Sequence, residues 1–332
     1  MKFRSVALAA TLWLVSLAPA IQALEVAYHV RTLRGHRQWV RSAAITPDGN
    51  RVITGSDDRT VRIWSLATGA PIRTLTGHSF FVNTVAVSPD GKYIASADDD
   101  MVIHLWRAGD GKKLRTLKGH DDGITSVAFT PDSRYIVSGS MDMTVRVWKV
   151  SSGRSVKVLK GHTDPVMSVA ASPDGKLIAS AGYDNSVRVW NLAEATLVRT
   201  LKGHTDPVLT IAFDPSGKML ASGSIDKTIK IWDVATGTVS KSLEGSKDKV
   251  WSVAFNSDGQ YLVSGGGDLR VRIWDVAAGK MIFSKVGHRK TVKTVAFSPD
   301  SRFIVSGSFD TYVKVWAFVP ASSAETVSDR TR

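Results

Sequence analysis

Gly119–Trp148 reads GHDDGITSVAFTPDSRYIVSGSMDMTVRVW. It opens on Gly119-His120, turns at Pro131-Asp132, passes Ser138 and Asp142, and closes on Trp148. The same unit returns 42 residues to either side. Trp64, Trp106, Trp148, Trp190, Trp232, Trp274 and Trp316 keep that spacing, and so do Asp58, Asp100, Asp142, Asp184, Asp226, Asp268 and Asp310. Self-similarity at one fixed period marks a repeat architecture, so the chain reads as one closed array of seven units.

Inside the unit, apolar residues alternate at period two between turn residues, which is the pattern of strands and not of helices. Ile124–Thr130 is read as strand a, Tyr135–Ser140 as b, Thr144–Lys149 as c and Ser155–Lys160 as d. The a–b turn recurs as Thr46-Pro47-Asp48-Gly49, Ser88-Pro89-Asp90-Gly91 and Ser172-Pro173-Asp174-Gly175. Proline second and glycine fourth suit a type I turn. Four-stranded sheets of this size cannot bury both faces alone, and radial stacking around an axis solves that. Strand a fits such an axis. It carries Ala44, Ala86, Ala128, Ala170, Ala212, Ala254 and Ala296 at one position, with Ser or Thr two residues earlier (Ser42 through Thr294).

Gly-His, Pro-Asp-Gly, Ser-Gly-Ser-x-Asp and the closing Trp resemble the WD40 repeat family over Ala27–Phe318. The resemblance implies an all-β, seven-bladed WD40 β-propeller of four-stranded antiparallel blades. It also implies ring closure by an N-terminal strand, Tyr28–Arg34, pairing with strands a–c of the last repeat. The expected layout is a leader over 1–23, the propeller over 24–319 and a disordered Ser/Thr/Ala-rich tail over 320–332.

Each unit assembles His, Ser, Asp and Trp, and the first three invite a hydrolase reading. Repetition argues against it, because an enzyme needs one activated nucleophile and not seven equivalent ones. In the family these residues form a buried hydrogen-bonded tetrad. The resemblance assigns it to His120, Ser138, Asp142 and Trp148 in unit three, and to His162, Ser180, Asp184 and Trp190 in unit four. Asp100 takes the acid's place in unit two. Unit six has Ser246 where the His belongs, so either Asp268 finds water or another donor or this blade is locally softer, and Asp268 is expected to matter less to stability than Asp142. A propeller enzyme with a loop-borne site is the catalytic alternative. The strand-a cores hold no Asp, Glu or His, and no cofactor and no metal are expected.

Function is sought where the units differ. Three positions vary: the two flanking the first apolar residue of strand a, and the one before the turn Asp. In the family they lie on the top face at the channel mouth and contact peptides or proteins. Carried over, they give Trp39, Arg41, Phe81, Asn83, Asp99, Thr125, Met141, Met167, Tyr183, Leu209, Ile225, Trp251, Lys293 and Phe309 as partner-binding residues. That set is greasy, and exposed apolar patches and aromatics mark interaction sites. Basic residues cluster in units six, seven and one (Arg37, Arg41, Lys247, Lys249, Arg289, Lys290, Lys293). Acidic ones cluster in units one and two (Asp57, Asp58, Asp98, Asp99, Asp100).

At the N-terminus, Lys2 and Arg4 precede an apolar stretch, Ser5–Ala20, and Ala18-Pro19-Ala20 or Ile21-Gln22-Ala23 offers a cleavage site. This is the pattern of a secretory signal peptide, and too short for a roughly 20-residue membrane span. The expected location is exported, periplasmic or secreted, with an uncleaved anchor as the alternative. The absence of Cys excludes disulfides, thiolate metal sites and cysteine nucleophiles. The formal charge is +13, to which Lys2 and Arg4 contribute two, and it favours anionic partners. The expected function is a non-catalytic scaffold, a monomeric ring that binds a protein or peptide on its top face. A binder of an anionic non-protein ligand, a cell-envelope polymer or membrane surface, is the alternative. Nucleic acid is set aside, because the basic strand positions lack the interleaved aromatics that base stacking requires.

Overall fold

Residues 26–319 are described by a computed structural model. Within them the chain forms seven four-stranded antiparallel sheets and no helix. Blade three shows the pattern: strand a is Ile124–Phe129, b Tyr135–Ser140, c Thr144–Lys149 and d Ser155–Lys160. In six blades the order follows the chain. In the seventh, Ala27–Leu33 pairs with Val313–Phe318, placing the first strand beside the last (Thr32 opposite Lys314, Leu33 opposite Val313). The closing strand expected over Tyr28–Arg34 thus lies one residue earlier.

Seven apolar clusters replace a single central core, and each lies between two blades. Ile103, Leu105 and Leu117 of blade two meet Ile124, Ile136 and Trp148 of blade three. Leu33, Val313 and Val315 of blade seven meet Val40, Val52 and Trp64 of blade one. Since each sheet buries its faces only against its neighbours, the ring is stable as a ring.

The Ser/Thr row of strand a does more than save space. Its hydroxyls accept the backbone N–H of the strand-a residue one position further along in the next blade, at 3.0–3.3 Å, around the whole ring. The bond from Ala43 N to Thr294 Oγ1, at 3.1 Å, crosses the closure between blades seven and one. Each such bond contributes about 1 kcal/mol net.

Strand a also departs from simple alternation in all seven blades. The a–b register slips by one at the second flanking position, between Val40 and Ser42, Ile124 and Ser126, Val292 and Thr294, and at the equivalent places. The bulged residues are Arg41, Asn83, Thr125, Met167, Leu209, Trp251 and Lys293. A bulge frees one residue from the ladder and re-aims its side chain.

Candidate functional site

The tetrad forms as a hydrogen-bond relay. In blade three the Trp148 indole N–H donates to Ser138 Oγ at 2.8 Å, and Ser138 Oγ lies 2.7 Å from His120 Nε2. His120 Nδ1 lies 2.6 Å from Asp142 Oδ2. His162, Ser180, Asp184 and Trp190 repeat this at 2.8 Å per link. With the hydroxyl accepting from Trp, its own proton goes to His Nε2, and Nδ1–H donates to the carboxylate. A neutral imidazole satisfies every partner. Burial alone would raise the Asp142 pKa, but hydrogen bonds from His120, Thr144 and the Asp121 backbone hold it well below the carboxylate range. The spacing is that of a hydrolytic triad. However, Ser138 is wholly buried and its oxygen already accepts the Trp148 N–H, so no substrate reaches it.

Two blades reach the same end differently. In blade two the acid is Asp98 and not Asp100: His78 Nδ1 bonds Asp98 Oδ2 at 2.6 Å, while Asp98 Oδ1 accepts the Asp100 backbone N–H at 3.1 Å. Aspartate here occupies the position of Ser56 and Ser140, whose hydroxyls accept the matching N–H in blades one and three. In blade six Asp268 is not left alone. Arg272, 2% exposed, donates from both terminal nitrogens to its two carboxylate oxygens. Of the two alternatives for Asp268, another donor is the one the structure shows, and the acidic sector is corrected, since Asp58 and Asp98 face inward to His36 and His78.

The variable positions converge on the end of the ring built by the d–a and b–c loops. The first flanking residue and the turn residue meet directly. The N–H of Asp57 donates to Trp39 O at 3.0 Å, that of Tyr183 to Pro165 O at 2.9 Å, and that of Phe309 to Thr291 O at 3.1 Å. Trp39 and Phe309 stack across the blade seven–one junction with ring centroids 4.3 Å apart and planes 18° from parallel. Trp39, Phe81, Met141 and Tyr183 are exposed, Ile225 and Phe309 half-buried. Arg41 lies over the Phe81 ring and pairs with Asp57, bonding Oδ2 at 3.1 Å.

Inside that rim the bulged residues line a small cavity of about 90 Å3 at the channel mouth, bounded by Arg41, Asn83, Thr125, Met167, Leu209 and Lys293, with Asp99 and Met141 beside them. Trp251 sits apart from this lining, under the Lys293 ammonium, which lies 3.6 Å from its ring centroid, and near that of Lys249 at 5.3 Å. Three of the expected contact residues have internal duties. Leu209 is buried. Asn83 Nδ2 donates to Ile124 O at 3.0 Å, and Thr125 Oγ1 lies 2.5 Å from Val166 O, each tying its blade to the next.

The larger hollows lie elsewhere. Grooves of about 610, 500 and 600 Å3 sit at equivalent places between blades three and four, one and two, and seven and one. Their recurrence makes them features of the framework. The opposite channel mouth is an apolar hollow of about 510 Å3 walled by Phe213, Phe255 and Phe297. Among the described residues no cluster of three or more His, Asp or Glu has the arrangement of a metal site.

A family model described as the WDR3 first beta-propeller domain matches residues 145–318, just over half of the chain, and the WD domain, G-beta repeat, matches 27–65, 69–107 and 111–149. The chain belongs to the WD-repeat β-propeller family. Among its relatives, the pre-mRNA-splicing factor prp46 of Emericella nidulans is 49% identical over 41 residues, 12% of this chain and 9% of that protein. The ribosome biogenesis protein BOP1 homolog of Drosophila grimshawi is 53% identical over 36 residues, 11% and 5% of the two chains. Protein pleiotropic regulator PRL2 of Arabidopsis thaliana is 54% identical over 39 residues, 12% and 8%. Each match covers about one WD repeat, and the chain spans less than a tenth of these curated relatives.

These names overturn the expected export. Pre-mRNA splicing and ribosome biogenesis are processes of the cell interior, so the periplasmic or secreted location is withdrawn, and the cell-envelope polymer with it. The leader expected over 1–23 and the tail expected over 320–332 lie outside the described residues. The ground for setting nucleic acid aside concerns the strands, whereas the loop face brings basic and aromatic groups together: Lys249, Trp251, Lys293, Arg41 and Phe81.

Proposed function

We propose that this WD-repeat propeller is a non-catalytic scaffold that holds a protein or peptide across the face of its d–a and b–c loops. One observation carries the reading. The residues that differ between repeats are bulged or looped onto a single face, where exposed Trp39, Phe81, Met141 and Tyr183 surround the channel mouth. Solvated aromatics at the rim of a rigid ring are the anchors from which hot spots are built. The names of the relatives, a splicing factor and a ribosome biogenesis protein, support a place in a multi-component intracellular assembly.

The test is capture by wild type and by Trp39→Ala/Phe309→Ala, which removes the stacked pair without touching a tetrad. The double variant should keep its melting temperature and lose captured protein. Retained capture by the folded variant would move the site off this face.

A further inference from the structure

At the channel mouth, Trp251, Lys293 and Arg41 are the bulged residues of three consecutive blades, six, seven and one. Arg41 is matched by Asp57, and Asp99 across the mouth accepts from Asn83 Nδ2 at 2.5 Å. Lys293 has no such match. Among the described residues no carboxylate pairs with it, and its contact is the Trp251 ring. It is nevertheless half-buried and lines the cavity. Enclosure in the mouth, with the charges of Arg41 and Lys249, lowers its pKa to about 7, against the pull of Asp57. An ammonium so placed is costly unless an acceptor comes to it.

The cavity defines the scale of that acceptor. At about 90 Å3 it exceeds the ~10–15 Å3 that one water requires, and falls well below the ~300–1,000 Å3 of a cofactor or drug-sized site. It has the size of a side-chain terminus. The rim adds positive charge from Lys249 and from Arg37, Lys247, Arg289 and Lys290 on the flanking loops, so the potential over blades six, seven and one favours negative charge. Met141, Met167 and Leu209 form an apolar far wall that suits the methylenes carrying an acidic group.

Resting on the loop-face reading above, we infer that this cavity receives one acidic side chain of the docked protein, carboxylate or phosphoryl, with its anionic oxygens bound by Lys293 and Arg41. The apolar rim would hold the peptide, and the half-buried ammonium would select an acidic residue at its centre.

The experiment is isothermal titration of the whole chain with sodium phosphate and, separately, sodium acetate, at constant ionic strength and a pH below about 7, where Lys293 is charged. Saturable one-to-one binding of phosphate alone assigns a phosphoryl group, and binding of acetate a carboxylate. Lys293→Met should weaken either by about tenfold or more, the value of a charge-assisted hydrogen bond. Lys293→Arg should retain most of it. No saturable binding of either anion, or equal binding by Lys293→Met, overturns the inference. An oligouridylate that displaces phosphate and is itself lost in Lys293→Met would assign the site to a nucleic-acid backbone, and also overturns it. Loss of capture by Trp39→Ala/Phe309→Ala with no anion binding would remove the acidic side chain alone. Anion binding with capture unaffected by that variant would remove the loop-face reading on which it rests.

Discussion

Arg272 donates from both terminal nitrogens to Asp268 in the one blade whose Gly-His has become Gly245-Ser246. Five of the other blades fix this aspartate with a histidine from the d–a loop, and blade six fixes it with a cation from strand c, four residues on. Other blades place Arg62, Arg146 and Arg188 at the same point of strand c, with side chains more exposed than that of Arg272. Loss of the imidazole therefore leaves a space that a residue already in the framework fills.

Asp268→Ala should consequently be as damaging as Asp142→Ala or more so. It strands a buried guanidinium, and breaking such a pair costs about 3–5 kcal/mol. Urea denaturation of the two variants checks this. A markedly smaller loss for Asp268→Ala would mean that blade six is soft.

Blade two offers a sharper comparison. Asp98 is fully buried against His78, whereas Asp100, which keeps the 42-residue register, is half-buried and has only its backbone N–H on Asp98. Asp98→Ala should cost about 1–3 kcal/mol or more by leaving the His78 donor unsatisfied, and Asp100→Ala about 0.5 kcal/mol or less. Thermal melts of both distinguish them, and the reverse order would return the acid's role to Asp100.

The closure between blades seven and one rests in part on Thr294 Oγ1 accepting from Ala43 N. Thr294→Val keeps the shape and removes the acceptor, so a buried N–H loses its partner at about 1–3 kcal/mol. Thr294→Ser should recover most of that in chemical denaturation. Equal stability of the Val and Ser variants would show that packing alone closes the ring.

Acid should destabilise the ring in two stages. His104, pushed down to about 4 by burial and the facing His78 ring, is neutral in the fold but protonated in the unfolded chain from near 6.5. The unfolded state then binds more protons, and stability falls as pH drops from about 6.5 to about 4. The tetrad carboxylates follow. Asp310, whose hydrogen bonds from His288 overcome the effect of burial, is held near 2 against 3.8, so its contribution is full above 3.8 and fades as pH falls towards 2. Denaturation midpoints measured against pH should show both limbs, with the upper one reduced in His104→Gln. A flat profile from pH 6.5 to 3 would contradict both assignments.

Much of this was legible in the chain because the repeat is gapless. The seven Trp and the Gly-His pairs announce blade number and tetrad, and the spare strand before Gly35-His36 announces closure. What stayed hidden depends on neighbours in space. Ser42 looks merely small until Val85, 43 residues away in the next blade, donates to its hydroxyl. The bulge at Thr125 recurs in every repeat, so no mismatch between copies betrays it. Asp98 and Arg272 each replace a tetrad partner from outside the repeat's register, where alignment by period cannot look. The repeat alignment marks Thr125 and Asn83 as partner contacts, yet both hold carbonyls of the following blade.

The central claim is that a partner docks on the face of the d–a and b–c loops. Photocrosslinking tests it most directly, with p-benzoylphenylalanine placed at Phe81 on that face or at Lys218 in an a–b turn at the opposite end. The account predicts a discrete crosslinked protein from position 81 and none from position 218. Crosslinking from position 218 alone would place the partner on the far face and contradict it.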